Sequence, residues 1–173
     1  MKCWHSRFNL NLWLAVAAMI LTACASRHGD PKKEAKTYST LRLTMEAPGQ
    51  ANVFSGAVKV AGALVNMEKE PFLTELDVVK AEVVEGPGGF AIQVHFNSHG
   101  TLLLEMMTTS RRGQRIGVMS QFPEERWLAA PVIKGRISNG VFTFTPDATR
   151  DEADRLVKGL TALIAKAGDN KDF

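Results

Sequence analysis

The stretch AIQVHFNSHGTLLLEMMT, residues 91–108, changes its hydrophobic period part of the way along. Up to Phe96 apolar and polar residues alternate, so Ile92, Val94 and Phe96 share one face of a predicted strand and His95 lies on the other. Beyond Phe96 the apolar residues recur every three to four positions, as on one face of a helix. The stretch therefore predicts a strand that passes directly into a helix.

The predicted helix has both a start and a stop signal. Ser98 can accept hydrogen bonds from the free N–H groups of the first turn, and Gly113 follows the last periodic residue. Between them, Leu103, Met106 and Met107 recur at helical spacing. A methionine stripe of this kind forms either part of a core or an adaptable binding surface. We expect it to be core.

Further strands are predicted on both sides of this unit. LDVVKAEVVEG, residues 76–86, is expected to pair as a hairpin with the strand that ends at Phe96, across the EGPGG turn. Asn139-Gly140 is a second hairpin signal, with Ile137 before it and VFTF after it. Other strands are predicted in YSTLRLTME, QRIGVMS and WLAAPVI, whereas the glycine-interrupted VFSGAVKVAGALV gives no clear assignment.

The last predicted element is an amphipathic helix. Thr149 and Glu152 form a capping box at its start. Its apolar positions fall on one face, namely Ala153, Leu156, Val157, Leu160, Leu163 and Ile164. Hairpin strands with two helices predict an α+β domain, in which a mostly antiparallel sheet has both helices packed on one face.

The N-terminal residues have the pattern of a bacterial export signal. Lys2 and Arg7 precede an apolar run, residues 10–23, which is shorter than the roughly 20 apolar residues of a stable membrane span. The sequence Leu-Thr-Ala-Cys at residues 21–24 resembles the lipobox, at which lipoproteins are cleaved and acylated. We therefore expect residues 1–23 to be a lipoprotein signal peptide. An uncleaved signal anchor is the main alternative.

Cleavage would make Cys24 the lipidated N-terminal residue, with diacylglycerol on its sulfur and palmitate as the expected acyl group. Several acyl chains hold a protein stably on a membrane, whereas one does so only marginally. The other cysteine, Cys3, lies in the segment to be removed, so neither a disulfide nor a cysteine metal site is expected. Ala25 is not the aspartate associated with inner-membrane retention. The prediction is a periplasm-facing envelope lipoprotein, with the outer membrane favoured over the inner.

The remaining chain divides into three parts and is nearly neutral. Residues 24–37 are expected to be the acylated cysteine and a flexible tether, 38–167 the folded domain and 168–173 a frayed tail. Loss of Lys2 and Arg7 leaves 19 of the 21 basic residues against 18 acidic ones. Because nucleic-acid binding depends on a basic surface, and the chain is expected to be exported, nucleic acid is excluded as a partner.

The order of these elements resembles the head of the large periplasmic domain of SecD, a subunit of the bacterial preprotein translocase. The similarity extends from about Tyr38 to Ile164. The collinear segments that carry it are FLTELDVVKAEVV, AIQVHFNSHGTLLLEMMT, GQRIGVMS, LAAPVIKGRIS and FTPDATRDEADRLVKGL. The resemblance implies a SecD-head-like α+β fold that engages emerging precursor proteins. Because only the head is represented, we expect a detached head domain on a lipid tether.

One segment departs from the SecD pattern. SQFPEERW, residues 120–127, is about two residues longer than the Asp-Gly turn that precedes Ala-Pro-Val-Ile in that family. Phe122, Arg126 and Trp127 in this loop are candidate partner-binding residues, since Trp and Arg often dominate binding energy. The alternative is that the aromatic side chains fold back onto the sheet edge.

The residue pattern does not indicate an enzyme. Ser98 and His99 are adjacent, but no nucleophile-elbow motif surrounds them. His95 and His99 would bind a metal together only if one helix held both, and further ligands are missing. Arg111, Arg112 and Arg115 are expected to have an ordinary helix-terminal role. We therefore expect no catalytic residue, no metal and no cofactor.

Two functional hypotheses follow from these observations. The first is a non-enzymatic envelope lipoprotein that binds an unfolded precursor or a translocase subunit in connection with protein export; a free sheet edge could take an extended segment by strand addition. The second is a structural or assembly lipoprotein that recognises one folded envelope partner and is unrelated to translocation.

Overall fold

The computed structural model describes residues 38–86, 88–121 and 124–169. The predicted signal peptide and tether, and residues 170–173 of the tail, lie outside these ranges. A 3-10 turn, Glu75–Asp77, precedes the fourth strand. The strands are β1 Arg42–Met45, β2 Ser55–Val60, β3 Ala63–Glu68, β4 Val78–Gly86, β5 Gly89–Phe96, β6 Ile116–Gln121, β7 Glu125–Ala129 and β8 Val141–Phe144; the helices are α1 Ser98–Ser110 and α2 Arg150–Asp169.

The described strands pair antiparallel, in two three-stranded sheets and a separate hairpin. One sheet has the order β1-β6-β7, the other β4-β5-β8, and β2 pairs with β3. Both sheets and both helices contribute to one hydrophobic core, whose members include Leu43, Ile92, Val94, Leu104, Val118, Phe142, Leu156 and Leu160. The predicted α+β fold with antiparallel strands is confirmed, with the strands divided between two sheets.

The strand-to-helix unit is present, but its helix cap is one residue earlier than predicted. β4 and β5 form the expected hairpin, with Val83 opposite Ile92. At the start of α1, Asn97 is the capping residue, and its Oδ1 accepts from the N–H of Gly100 at 2.8 Å. Ser98 is the first helical residue and is exposed, so the predicted Ser98 cap is wrong. Asn and Ser are both favourable capping residues. Because β5 ends at Phe96, Asn97 occupies the capping position and Ser98 is already in the helix.

Asn139-Gly140 does not close a hairpin. The residues before it, 133–138, form no strand, and β8 after it pairs with β5 instead. Two long-range hydrogen bonds hold this path: Ile137 N donates to Thr108 Oγ1 of α1 at 3.0 Å, and Phe96 N donates to Gly140 O at 2.9 Å. The predicted local hairpin is therefore wrong, because partners on α1 and β5 compete successfully with a local return of the chain.

The final helix follows its prediction closely. Thr149 N donates to Glu152 Oε2 at 2.9 Å and Glu152 N donates to Thr149 Oγ1 at 3.3 Å, which completes the capping box. The hydrogen bonds that Thr149 donates to Glu152 Oε2 from its N–H and its hydroxyl, and then the nearby Arg126 guanidinium, lower the pKa of Glu152. The helix packs on β4 and β5 through buried side chains, namely Ala153, Leu156 and Leu160.

Candidate functional site

Helix α1 presents a largely apolar stripe to solvent. Leu102 is 65% exposed and Met106 is 50% exposed, whereas Gly100, Leu104 and Thr108 face the core. Thr108 can be buried because its hydroxyl donates to Leu104 O at 2.7 Å and accepts from Ile137 N.

The prediction that the methionine stripe is core is therefore only half right. Met106 lies on the surface, while Leu103 and Met107 pack against the core and are partly buried. The buried positions of the helix are four residues apart, at Gly100, Leu104 and Thr108. Hydropathy alone would place the polar Thr108 on the surface.

A chain segment, residues 68–77, runs antiparallel along one flank of α1. Its first residue pairs with the end of the helix, since Glu68 Oε1 lies 3.1 Å from an Arg111 guanidinium nitrogen. Its last residue pairs with the start of the helix, since Asp77 Oδ1 lies 2.8 Å from His99 Nδ1. The two ends of the segment therefore lie at the two ends of α1.

This arrangement brings Leu76 beside the start of α1. Leu76 is 72% exposed, and its carbonyl accepts from Asn97 Nδ2 at 3.5 Å. We call Leu102 and Met106, which lie about one turn apart on the exposed face of α1, the α1 patch. Val79, 56% exposed, follows in a bulge of β4. Such a group of exposed apolar side chains is typical of an interaction surface.

The charges around the α1 patch are already paired within the protein. Asp77 is the better-shielded member of its pair, with 14% side-chain exposure, and its second oxygen accepts from Thr74 N at 3.2 Å. Arg111 and Glu68 neutralise each other at the opposite end of the helix. Covering the patch therefore leaves no new unpaired charge at these positions, so the patch suits an apolar segment better than a charged one.

The arginines after α1 have the structural role expected of them. Arg111 pairs with Glu68, Arg112 Nε donates to Lys134 O at 3.1 Å, and Arg115 donates to Ala130 O at 2.8 Å. Each bond ties the end of α1 to a different part of the chain.

The predicted binding residues Phe122, Arg126 and Trp127 do not form one described surface, and Arg126 and Trp127 lie in β7 instead of in the predicted loop. Phe122 lies outside the described residues. Arg126 donates to Asp147 O at 3.3 Å and lies 3.4 Å from Glu152 Oε2, so it joins β7 to the start of α2. Trp127, its neighbour, projects to the opposite face of the strand and is half-buried.

The ring of Trp127 lies over a glycine of β6. An ideal Cβ at Gly117 would be 2.7 Å from Trp127 Cζ3 and 2.9 Å from Met67 Sδ, so the absent side chain leaves the space that the indole occupies. The β2–β3 hairpin contributes Met67, which is 1% exposed, to the same contact. Partner binding through Phe122, Arg126 and Trp127 stays a prediction.

The histidines have separate carboxylate partners. His95 Nε2 lies 3.4 Å from Glu82 Oε1, and a hydrogen bond from Lys80, together with this histidine, lowers the pKa of Glu82. His99 pairs with Asp77. The clefts of about 420 to 670 Å³ lined by described residues include neither histidine. Within those residues, no group of three or more His, Cys, Asp or Glu side chains is arranged to hold a metal.

Two further observations concern membrane attachment. Neither α1 nor α2, the helices of the described part of the chain, has the length and apolarity needed to cross a bilayer. Cys24, the predicted lipidation site, lies outside the described residues.

Comparison with known proteins agrees with the resemblance drawn from the sequence. The model of the SecDF P1 head subdomain family matches residues 51–165. A solved structure of SecDF, a membrane component that enhances protein export, shares 18% identity with a TM-score of 0.56, over 75% of this chain and 65% of that one. A crystal structure of SecDF in a super-membrane-facing form shares 18% identity with a TM-score of 0.57, over 79% of this chain and 21% of that one. No curated protein matches significantly.

Proposed function

The chain belongs to the SecDF P1 head subdomain family, and from this premise we propose that it is a non-enzymatic, lipid-anchored envelope protein that binds polypeptide in connection with protein export. The observation that carries the proposal is the α1 patch, an apolar surface on the head domain whose neighbouring charges are paired internally. Unfolded precursors expose apolar side chains that a folded protein would bury, and these are the groups such a patch would contact. Membership of the family connects the chain with protein export, and the α1 patch is the surface that would contact the polypeptide.

The anchor in this proposal is Cys24, acylated after removal of residues 1–23. The lipobox-like sequence Leu-Thr-Ala-Cys supports it. A lipid anchor would hold the domain on the periplasmic side of the membrane, in reach of exported chains, with the outer membrane favoured over the inner.

Acylation is tested by mass spectrometry of the N-terminal peptide of protein extracted from membranes. We expect this peptide to begin at Cys24 and to carry diacylglycerol. The Cys24→Ser variant should keep residues 1–23 and lack the lipid mass. A wild-type peptide that is uncleaved, or cleaved elsewhere, would contradict the proposed anchor.

The binding surface is tested by photo-crosslinking in cells, followed by identification of the captured proteins. The photoreactive residue is placed at Leu102 or Met106 of the α1 patch, at Phe122 of the β6–β7 loop or Trp127 of β7, and at the exposed Lys158 of α2 as control. We expect capture of many different exported precursors from the α1 patch, well above the Lys158 background.

The other outcomes separate the remaining hypotheses. Comparable capture of precursors from Phe122 or Trp127 would support the β6–β7 loop as a binding surface. One recurrent folded protein would favour an assembly role unrelated to translocation. Capture no greater than at Lys158 from all four positions would contradict polypeptide binding.

A further inference from the structure

The two most exposed large apolar side chains of the described residues are neighbours in one turn. Val53 is 80% exposed and Phe54 is 82% exposed, and both lie immediately before β2. They form the centre of a turn closed by a hydrogen bond from Ser55 N to Asn52 O at 3.3 Å. At such exposures little of the protein flanks either side chain, so together they form a protruding apolar tip.

Three N–H groups of this turn, those of Asn52, Phe54 and Ser55, are bonded to side chains of the turn itself. Asn52 Oδ1 accepts from Phe54 N at 2.8 Å and from Ser55 N at 3.1 Å. In return, Asn52 N donates to Ser55 Oγ at 3.2 Å. These bonds fix the direction in which the two apolar side chains project.

The carbonyl groups of the turn are paired as well, through a lysine of the segment after β3. Lys69 donates from its ammonium group to Val53 O at 3.0 Å and from its backbone N–H to Phe54 O at 2.9 Å. Taking an unpaired peptide group out of water is unfavourable, whereas a paired one can leave water at little cost. Most polar backbone groups of the turn are therefore already paired, which lowers the cost of moving the tip from water into an apolar medium.

The charges at the base of the turn balance. Lys69 and Glu70 are adjacent and exposed, and Glu68 is paired with Arg111. Two positive and two negative groups give no net attraction to an anionic surface. Contact made by this turn should therefore depend on its apolar side chains and change little with surface charge.

From these observations we propose that the turn of Val53 and Phe54 inserts into the headgroup region of a lipid bilayer. A protruding pair of side chains needs a matching pocket in a folded partner, whereas a fluid interface accommodates it without one. The apolar run 10–23 and Cys24 indicate that a bilayer is close. The 14 residues 24–37 can extend about 45 Å, which exceeds the roughly 30 Å diameter of a small domain, so the tether does not restrict which side of the domain faces that bilayer. The inference uses the proposed membrane attachment but not the polypeptide binding.

The test uses the full chain with Cys3→Ser and Cys24→Ser, so that it keeps its apolar N-terminal run and does not depend on acylation. A single cysteine replaces Phe54 or, as control, Leu64, which is 76% exposed beside the opposite end of the same hairpin. Each carries an environment-sensitive nitrobenzoxadiazole (NBD) label. Each protein is reconstituted into phosphatidylcholine vesicles or phosphatidylethanolamine–phosphatidylglycerol vesicles containing spin-labelled lipid.

We expect blue-shifted emission and several-fold stronger quenching at position 54 than at position 64, to the same extent in both kinds of vesicle. Adding Asn52→Ala, which keeps the apolar tip but removes the acceptor of the N–H at position 54, should reduce the quenching at position 54. Equal quenching at both positions would overturn the proposal, as would quenching at position 54 only with anionic lipid or no effect of Asn52→Ala. Because no polypeptide is present, failure here leaves the proposed function standing, and failure of the crosslinking leaves this inference standing.

Discussion

The Gly140→Ala variant is expected to lose about 2 to 5 kcal/mol of unfolding free energy, from two separate causes. Gly140 has φ +68°, a left-handed conformation that costs an L-residue roughly 1–2 kcal/mol. An ideal Cβ there would overlap Thr101 Oγ1 and lie 3.2 Å from Thr101 Cβ, and such overpacking typically costs about 1–3 kcal/mol. Urea unfolding followed by circular dichroism measures the loss.

Gly135 provides the matched control, because an added Cβ there meets no atom within 4 Å. Gly135→Ala should therefore change the free energy of unfolding by no more than about 0.5 kcal/mol. Combining Gly140→Ala with Thr101→Ala removes the overlapping hydroxyl, so part of the loss should be recovered and the left-handed part should remain. Equal losses at Gly135 and Gly140, or no recovery with Thr101→Ala, would contradict the packing described here.

The same corner of the molecule explains one limit of prediction from sequence. Asn139-Gly140 was interpreted as a hairpin because the local signal for one is strong. Gly140 does adopt the positive φ that the turn requires. The strand after the turn pairs with β5 instead of with residues 133–138, because Phe96 N donates to Gly140 O and Thr108 Oγ1 accepts from Ile137 N. A turn signal predicts the local backbone conformation, but it does not predict which strand pairs with the chain after the turn.

Elements with a strong period were predictable from residues alone. The alternation of Ile92, Val94 and Phe96 reports burial of one strand face, and the capping box at Thr149 with the apolar face behind it locates α2. In each case residues that are close in sequence determine the type and position of the element, so it can be predicted without knowing its tertiary contacts. The β2–β3 hairpin lacked such a period because glycines interrupt it.

The α1 patch could not be predicted in this way. Hydropathy places Met106 inside and Thr108 outside, whereas the structure has the reverse. Thr108 is buried because Leu104 O and Ile137 N satisfy its hydroxyl, and one of these partners lies 29 residues away. Leu76 likewise lies beside the start of α1 only because its carbonyl accepts from Asn97 Nδ2, 21 residues away. Both facts depend on tertiary contacts.

The second large effect is expected in polypeptide binding by the Leu102→Gln, Met106→Gln double variant. Glutamine keeps the helix propensity of α1 and adds no charge, so the free energy of unfolding should stay nearly unchanged. Each original side chain would bury roughly 50 Å² or more of apolar surface against a bound segment, worth about 1 kcal/mol at 25 cal/mol per Å². Loss of both side chains is therefore expected to weaken the affinity for an unfolded, apolar polypeptide by about tenfold or more relative to the wild type. Fluorescence anisotropy measures this affinity.

Leu64→Gln is the matched control, since it removes an equally exposed leucine from the β2–β3 hairpin and should leave affinity within about twofold. Ionic strength gives an independent check. The charged groups Glu68, Arg111 and Asp77 at the two ends of α1 each have a partner within the protein, so affinity should change little with added salt, whereas binding through free surface charges would weaken. If the double variant binds normally, or if salt abolishes binding, the α1 patch is not the polypeptide-binding surface, and the charged segment 124–126 at the start of β7 becomes the better candidate.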